Sequence, residues 1–141
     1  MKRIVLMSAF TSMLLMAQTG WAQDDREVIY MSGEQRAFVL TEMRAFLVAV
    51  QDIVLAVADN DMETIKETAR AMGPGSGMGM QMGLPQVLPV EFRQMARGTH
   101  MAFSELAQAA EFGPEGVIAD LGTLMSSCNG CHEAYQLQTK P

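Results

Sequence analysis

Apolar residues recur at spacings of three and four in four separate stretches of this 141-residue chain, and no stretch long enough to support a sheet alternates apolar with polar at a period of two. A helix turns the first pattern into one buried face, whereas a strand needs the second. The first stretch follows Ser32-Gly33-Glu34-Gln35, a hydroxyl with Gln three positions later, which is the capping-box signature. Its stripe of Arg36, Leu40, Met43, Leu47, Val50, Val54 and Val57 predicts a long helix ending near Asp59-Asn60-Asp61. Asp61 is placed to cap a shorter helix from Met62 to Met72, with Ile65, Ala69 and Met72 inward. Gly73 to Pro85 holds five Gly and two Pro in thirteen positions and reads as a connection. A third helix starts at Pro89 and carries Phe92, Met95, Ala96, Thr99, Phe103, Leu106 and Ala110 inward; Gly113-Pro114 ends it. The fourth presents Val117, Leu121, Leu124, Cys128, Cys131, His132 and Tyr135 on one face. The expected fold is all-α, an antiparallel up-down-up-down four-helix bundle without a sheet.

The N-terminus reads differently. Met1-Lys2-Arg3 is basic, Ile4 to Met16 is apolar but for Ser8, Thr11 and Ser12, and Gly20-Trp21-Ala22 sets small residues at the −3 and −1 positions of a cleavage site. This is the pattern of a secretory signal peptide spanning residues 1–22. As a helix the apolar run would rise only about 20 Å, short of the ~30 Å hydrocarbon core, so a membrane anchor is not expected in the mature form. Removing residues 1–22 takes away Lys2 and Arg3 but no acid, which leaves residues 23–141 with 8 basic and 16 acidic groups and shifts the formal charge from −6 to −8. The expected location is the periplasm. An acidic chain without a basic run is a poor partner for nucleic acid, and two histidines, His100 and His132, leave little to build a hydrolase from.

Cys128-Asn129-Gly130-Cys131-His132 is C-x-x-C-H. That spacing suits covalent attachment of haem c: two thiols add to the porphyrin vinyl groups, and the adjacent imidazole reaches the iron. Two other chemistries use part of the motif. A redox dithiol favours a helix N-terminus, where the dipole lowers a thiol pKa, but this pair falls late in the last predicted helix. A zinc site needs further ligands, and His100 is the one other His or Cys in the chain.

The stretch from Leu124 to Tyr135, LMSSCNGCHEAY, carries its attachment motif at the end of the chain. Together with Leu88-Pro89-Val90-Glu91-Phe92-Arg93 and Thr99-His100-Met101-Ala102-Phe103 it resembles the cytochrome c-prime family, the class II c-type cytochromes. The likeness spans residues 23–141 in organisation, and its specific elements are the C-x-x-C-H and Tyr135. It implies a four-helix bundle, one covalent haem c near the C-terminal end, and periplasmic electron transfer or gas binding. Gln136 stands where members of that family usually carry Arg, so the resemblance implies no basic propionate partner there.

In such a bundle the far side of the iron faces the starts of the first and third helices. Met43 is then a candidate sixth ligand, which would make a low-spin His/Met centre suited to accepting electrons. If Leu40 shields that face instead, the iron stays five-coordinate and open to nitric oxide or carbon monoxide, as the resemblance allows. His100 is a third candidate, and for Arg36 the resemblance implies pairing with a propionate, the alternative being a solvated Arg at a helix start. Met78, Met80 and Met82 form a cluster of soft donors fit either for Cu(I) or for lying over a haem edge. The expected role is that of a carrier of single electrons, not an enzyme, docking through its acidic surface to a basic patch on a redox partner. Phe38, Phe46 and Ile53 lie on a second apolar face of the first helix, a candidate surface for a homodimer or for further core packing.

Overall fold

The computed structural model describes residues 24–75, 79 and 82–141, so the expected leader 1–22 and two of the clustered methionines, Met78 and Met80, lie outside the described residues. Four α-helices occur among the described residues: α1 (Gly33–Ala58), α2 (Met62–Met72), α3 (Val90–Ala109) and α4 (Pro114–Ala134). Their ends follow the local chemistry. Ser32 Oγ accepts from the Gln35 amide at 3.1 Å, and Gln35 returns the bond by accepting the Ser32 amide at 2.9 Å, completing the capping box. Asp61 accepts from the Thr64 amide at 3.1 Å and so caps α2. Between them Asn60 adopts φ 55°, the left-handed turn that reverses the chain. Gly113 takes φ 101°, a conformation open to glycine, immediately before Pro114 starts α4.

α2 packs against α1 and α3, and α3 packs along α4, while α1 touches α4 only lightly. The main core gathers Phe46, Ile53, Ile65, Phe103, Leu106, Val117 and Leu124, with the Phe46 and Phe103 ring centroids 5.2 Å apart. A second, smaller core of Ile29, Met31, Val39, Leu84 and Phe92 lies at the start of α1, with Met43, Cys131 and Tyr135 packed against it. No helix among the described residues is long and apolar enough to cross a membrane.

The structure corrects the expected folding pattern in three places. First, the buried residues of α1 are Val39, Phe46, Ala49, Ile53 and Ala56, while Leu47 and Val54 are exposed. The helix is apolar around most of its circumference, so two adjacent stripes satisfy the same spacing and the larger Phe46 and Ile53 take the inside. Phe46 and Ile53 are therefore core residues, the packing alternative of the two expected for them; Phe38 is half-buried against the smaller core.

Second, a sheet is present. β1 (Glu27–Met31) pairs in parallel with β2 (Tyr135–Thr139), from Glu27 opposite Tyr135 to Met31 opposite Thr139. Each strand has five residues, too few for periodicity to reveal, and β1 adjoins the charged run from Asp24 to Glu27. Ile29 and Met31 are nonetheless buried while Tyr30 between them is exposed, the alternation a half-buried strand requires. Third, α4 stops at Ala134, because Tyr135 turns to φ −130° and ψ 149° to enter β2. Tyr135 thus continues the helical spacing in sequence but is a strand residue in space.

The new assignment of α1 faces makes a clear distinction between neighbours. Ile53→Ala is expected to cost about 2–5 kcal/mol of unfolding free energy, and Val54→Ala less than about 0.5 kcal/mol, as measured by denaturant titration of dilute protein. Equal losses would contradict the face described.

Candidate functional site

Cys128, Cys131 and His132 occupy the last two turns of α4, and positions three and four apart there share one side of the helix. Both thiols are free and half-buried. Burial pushes both above the ordinary cysteine value, and for Cys131 the neighbouring Cys128 adds to the shift. The C-terminal end of a helix also disfavours an anion. These are protonated thiols, whereas a redox dithiol exposes a stabilised thiolate. Among the described residues, no group of three or more His, Cys, Asp or Glu side chains is arranged to hold a bare metal ion.

Beside the motif opens a cavity of about 320 Å³. Arg36, Val39, Leu40 and Met43 of α1 form one wall, Phe92 of α3 another, and Cys131 and His132 at the end of α4 a third. Arg26, Tyr135, Gln136 and Leu137 complete it from the two chain segments around the sheet. Six residues expected from sequence, Arg36, Leu40, Met43, Cys131, His132 and Tyr135, are thereby brought together from two distant stretches. Cys128, one turn earlier on α4, does not line the cavity. The Phe92 and Tyr135 rings meet edge to face with centroids 5.3 Å apart, fixing the wall between α3 and β2.

Two guanidinium groups stand among these walls. Arg36 Nε donates to the Leu137 carbonyl at 3.1 Å, which ties α1 to β2. Arg26 Nη1 donates to the His132 carbonyl at 3.3 Å, and its Nη2 pairs with Asp24 at 2.6 Å. The amide of Gln136 donates to the Arg26 carbonyl at 3.3 Å, so an arginine adjoins position 136 although it comes from the other end of the chain. Two thiols and an imidazole on one helix end, apolar walls from Val39, Leu40, Met43 and Phe92, and two cationic groups suit a large apolar ring with a liganded centre and acidic substituents. The residues present fit a covalently held haem.

Sequence reasoning missed Arg26 and Leu137 because the strands that place them were missed. Val39 precedes Leu40 on a helix whose inward face was set one position away. Phe92 was legible as an inward residue of α3, though not as a wall of this cavity.

His100 lies elsewhere. Its Nδ1 is 2.8 Å from the Met72 carbonyl and its Nε2 is 3.5 Å from Glu42 Oε1, with the Phe46 ring 5.1 Å away edge-on. It does not line the cavity, and both ring nitrogens face partners that link α3 to α1 and α2. Because a carbonyl only accepts, Nδ1 carries the proton, and a second proton on Nε2 answers the carboxylate. The Glu42 hydrogen bond is the main cause that raises the His100 pKa above its ordinary 6.5, against the effect of partial burial.

A raised folded-state pKa stabilises the fold fully below the unfolded value, and that contribution is lost as pH rises through the folded one. The stability difference between the native chain and Glu42→Gln is therefore expected to be largest below pH 6.5 and to shrink as pH climbs. Chemical denaturation from about pH 5.5 to about pH 9 measures it; a difference that grows with pH would contradict the pairing.

No family model, curated protein or solved structure matches this chain.

Proposed function

We propose that this chain is a periplasmic monohaem cytochrome of the c-prime type, an antiparallel up-down-up-down four-helix bundle that carries single electrons between redox partners. The observation that carries the reading is the cavity. Cys131 and His132 of the C-x-x-C-H share it with Arg36, Leu40 and Met43, nearly a hundred residues away in sequence.

When bound, haem c supplies a one-electron ferric/ferrous couple. Cys128 and Cys131 would hold the ring through thioether bonds, and His132 would offer its imidazole to the iron. Val39, Leu40, Met43 and Phe92 would exclude water and lower the local dielectric around it, while Arg36 and Arg26, which line the same cavity, would offer positive charge to its carboxylates. Leader removal leaves an acidic surface, to which a basic patch on a partner docks in an encounter that weakens with salt.

A second reading has a specific observation behind it. Leu40 and Met43 line the same cavity, so either could stand opposite His132 when a haem is held there, Leu40 as a shield or Met43 as a thioether donor. With Leu40 there, the protein is a five-coordinate binder of nitric oxide or carbon monoxide.

Protein produced with the haem-attachment machinery is expected to retain its haem through acid-acetone extraction, and Cys128→Ala/Cys131→Ala to lose it. Failure of the native chain to retain haem would overturn the cytochrome reading. Ultraviolet-visible spectra then separate the two forms. A low-spin ferrous spectrum indifferent to carbon monoxide, turned high-spin by Met43→Ala, supports thioether ligation and the electron carrier. A high-spin spectrum that shifts with carbon monoxide supports the gas-binding form.

A further inference from the structure

A helix leaves its last four carbonyls without partners of its own. In α4 these belong to Cys131, His132, Glu133 and Ala134, so the imidazole of the C-x-x-C-H hangs from the turn that frays most readily. Two of these carbonyls are closed. The Tyr135 amide donates to the Cys131 carbonyl, and Arg26 Nη1 donates to the His132 carbonyl at 3.3 Å. The first bond comes from the adjoining strand residue, the second from a side chain 106 positions away. A cation at a helix C-terminus also meets the negative end of the helix dipole.

The Arg26 side chain is itself held. Asp24 Oδ1 accepts from Arg26 Nε at 2.8 Å and from the Arg26 backbone amide at 3.3 Å, while Oδ2 accepts from Nη2 at 2.6 Å. One carboxylate thus grips one edge of the guanidinium and leaves Nη1 for His132. Gln136 Nε2 donates to the Arg26 carbonyl at 3.3 Å, and Gln138 Nε2 donates to Gln136 Oε1 at 3.0 Å, which orients the Gln136 amide. Gln serves at position 136 because it both donates and accepts, whereas an Arg only donates. A solvent-exposed ion pair such as Asp24 with Arg26 adds little to stability. What it fixes is the direction of the guanidinium.

We propose that Arg26 is the positioning residue for His132: braced by Asp24, it clamps the last turn of α4 and so keeps the imidazole on the cavity wall. Each residue of a helix turns its side chain by about 100°, and unwinding at this end would carry the ring off that wall. His132 is exposed, and among the described residues its hydrogen bond beyond α4 is the one from Arg26. Three guanidinium nitrogens act at once, Nε and Nη2 on Asp24 and Nη1 on His132, where a lysine has one nitrogen to offer. The clamp belongs to the chain itself, while its consequence for the iron rests on the cytochrome reading.

The exported protein, with its haem content fixed by acid-acetone extraction, tests both halves. Hydrogen exchange read by mass spectrometry over residues 131–139 needs no haem. Arg26→Gln is expected to speed exchange there about threefold or more, the scale of one lost hydrogen bond, and to leave α3 as it was. Arg97→Gln, which removes an exposed charge from α3, should leave residues 131–139 unchanged. In haem-loaded protein the ferric electron paramagnetic resonance g-values respond to how an imidazole lies on iron. They are expected to shift in Arg26→Gln and to stay in place in Arg97→Gln. Arg26→Lys keeps the charge without the fork and should shift them as Arg26→Gln does, and Asp24→Asn should move them part of the way.

Equal exchange in the native chain and Arg26→Gln overturns the proposal. Faster exchange with unchanged g-values does so too, since Arg26 would then brace the strand alone. Full rescue by Arg26→Lys, or an Asp24→Asn chain identical to native, removes the fork and its brace from the account and overturns it as well. A native chain that retains no haem overturns the cytochrome reading instead, and exchange alone then decides whether Arg26 clamps residue 132.

Discussion

The five residues before α1 and the five after α4 lie side by side, and their register decides where everything else at that end of the molecule can be. With Glu27 opposite Tyr135, Arg26 falls next to the carbonyl of His132, and Arg36, one turn into α1, reaches the carbonyl of Leu137. A slip of one residue would turn Ile29 and Met31 outward and break the smaller core. Parallel pairing is available only to strands joined by a long crossover, and here the crossover is the helical body of the protein.

This arrangement separates two tasks. The main core, centred on Phe103, Leu106 and Leu124, holds the helices together away from the cavity. The smaller core supports the cavity walls, and Met43 packs against both. Cys131 and Tyr135 pack on the smaller core as well, so the chemistry-bearing end of α4 is braced by residues from the opposite end of the chain. Burial keeps the thiols protonated, while the polar groups nearby are bound to backbone carbonyls. His100 and Glu42 do a different job, joining α1, α2 and α3 near the middle of the body.

Sequence alone carried the helices well, because capping chemistry and breakers are local. Ser32 with Gln35, Asp61 with Thr64, and Gly113 with Pro114 act within a few residues. It carried most of the cavity too, since C-x-x-C-H fixes one wall and the start of α1 was the natural place for the other. It failed where the deciding interaction was distant. Tyr135-Gln136-Leu137-Gln138 does alternate apolar with polar, but over four residues that also continue the helical stripe, and nothing near Glu27 announces the strand it pairs with. The inward face of α1 was ambiguous for a related reason: Leu47 and Phe46 fit the spacing equally, and the choice rests on the Phe103 ring contributed by α3. His100 was legible as a special residue but not as a link, because Met72 and Glu42 belong to other helices.

The pairing of β1 with β2 also sets an order of events. A chain made from its N-terminus cannot complete that pair until Thr139 has appeared, after all four helices. Until then Leu137 and Gln136 are missing from the cavity and the Arg36 guanidinium has no carbonyl to bind. Cys131 therefore faces a pocket that still lacks a wall until β2 has paired with β1, and the strand that follows the motif is the one that shuts it.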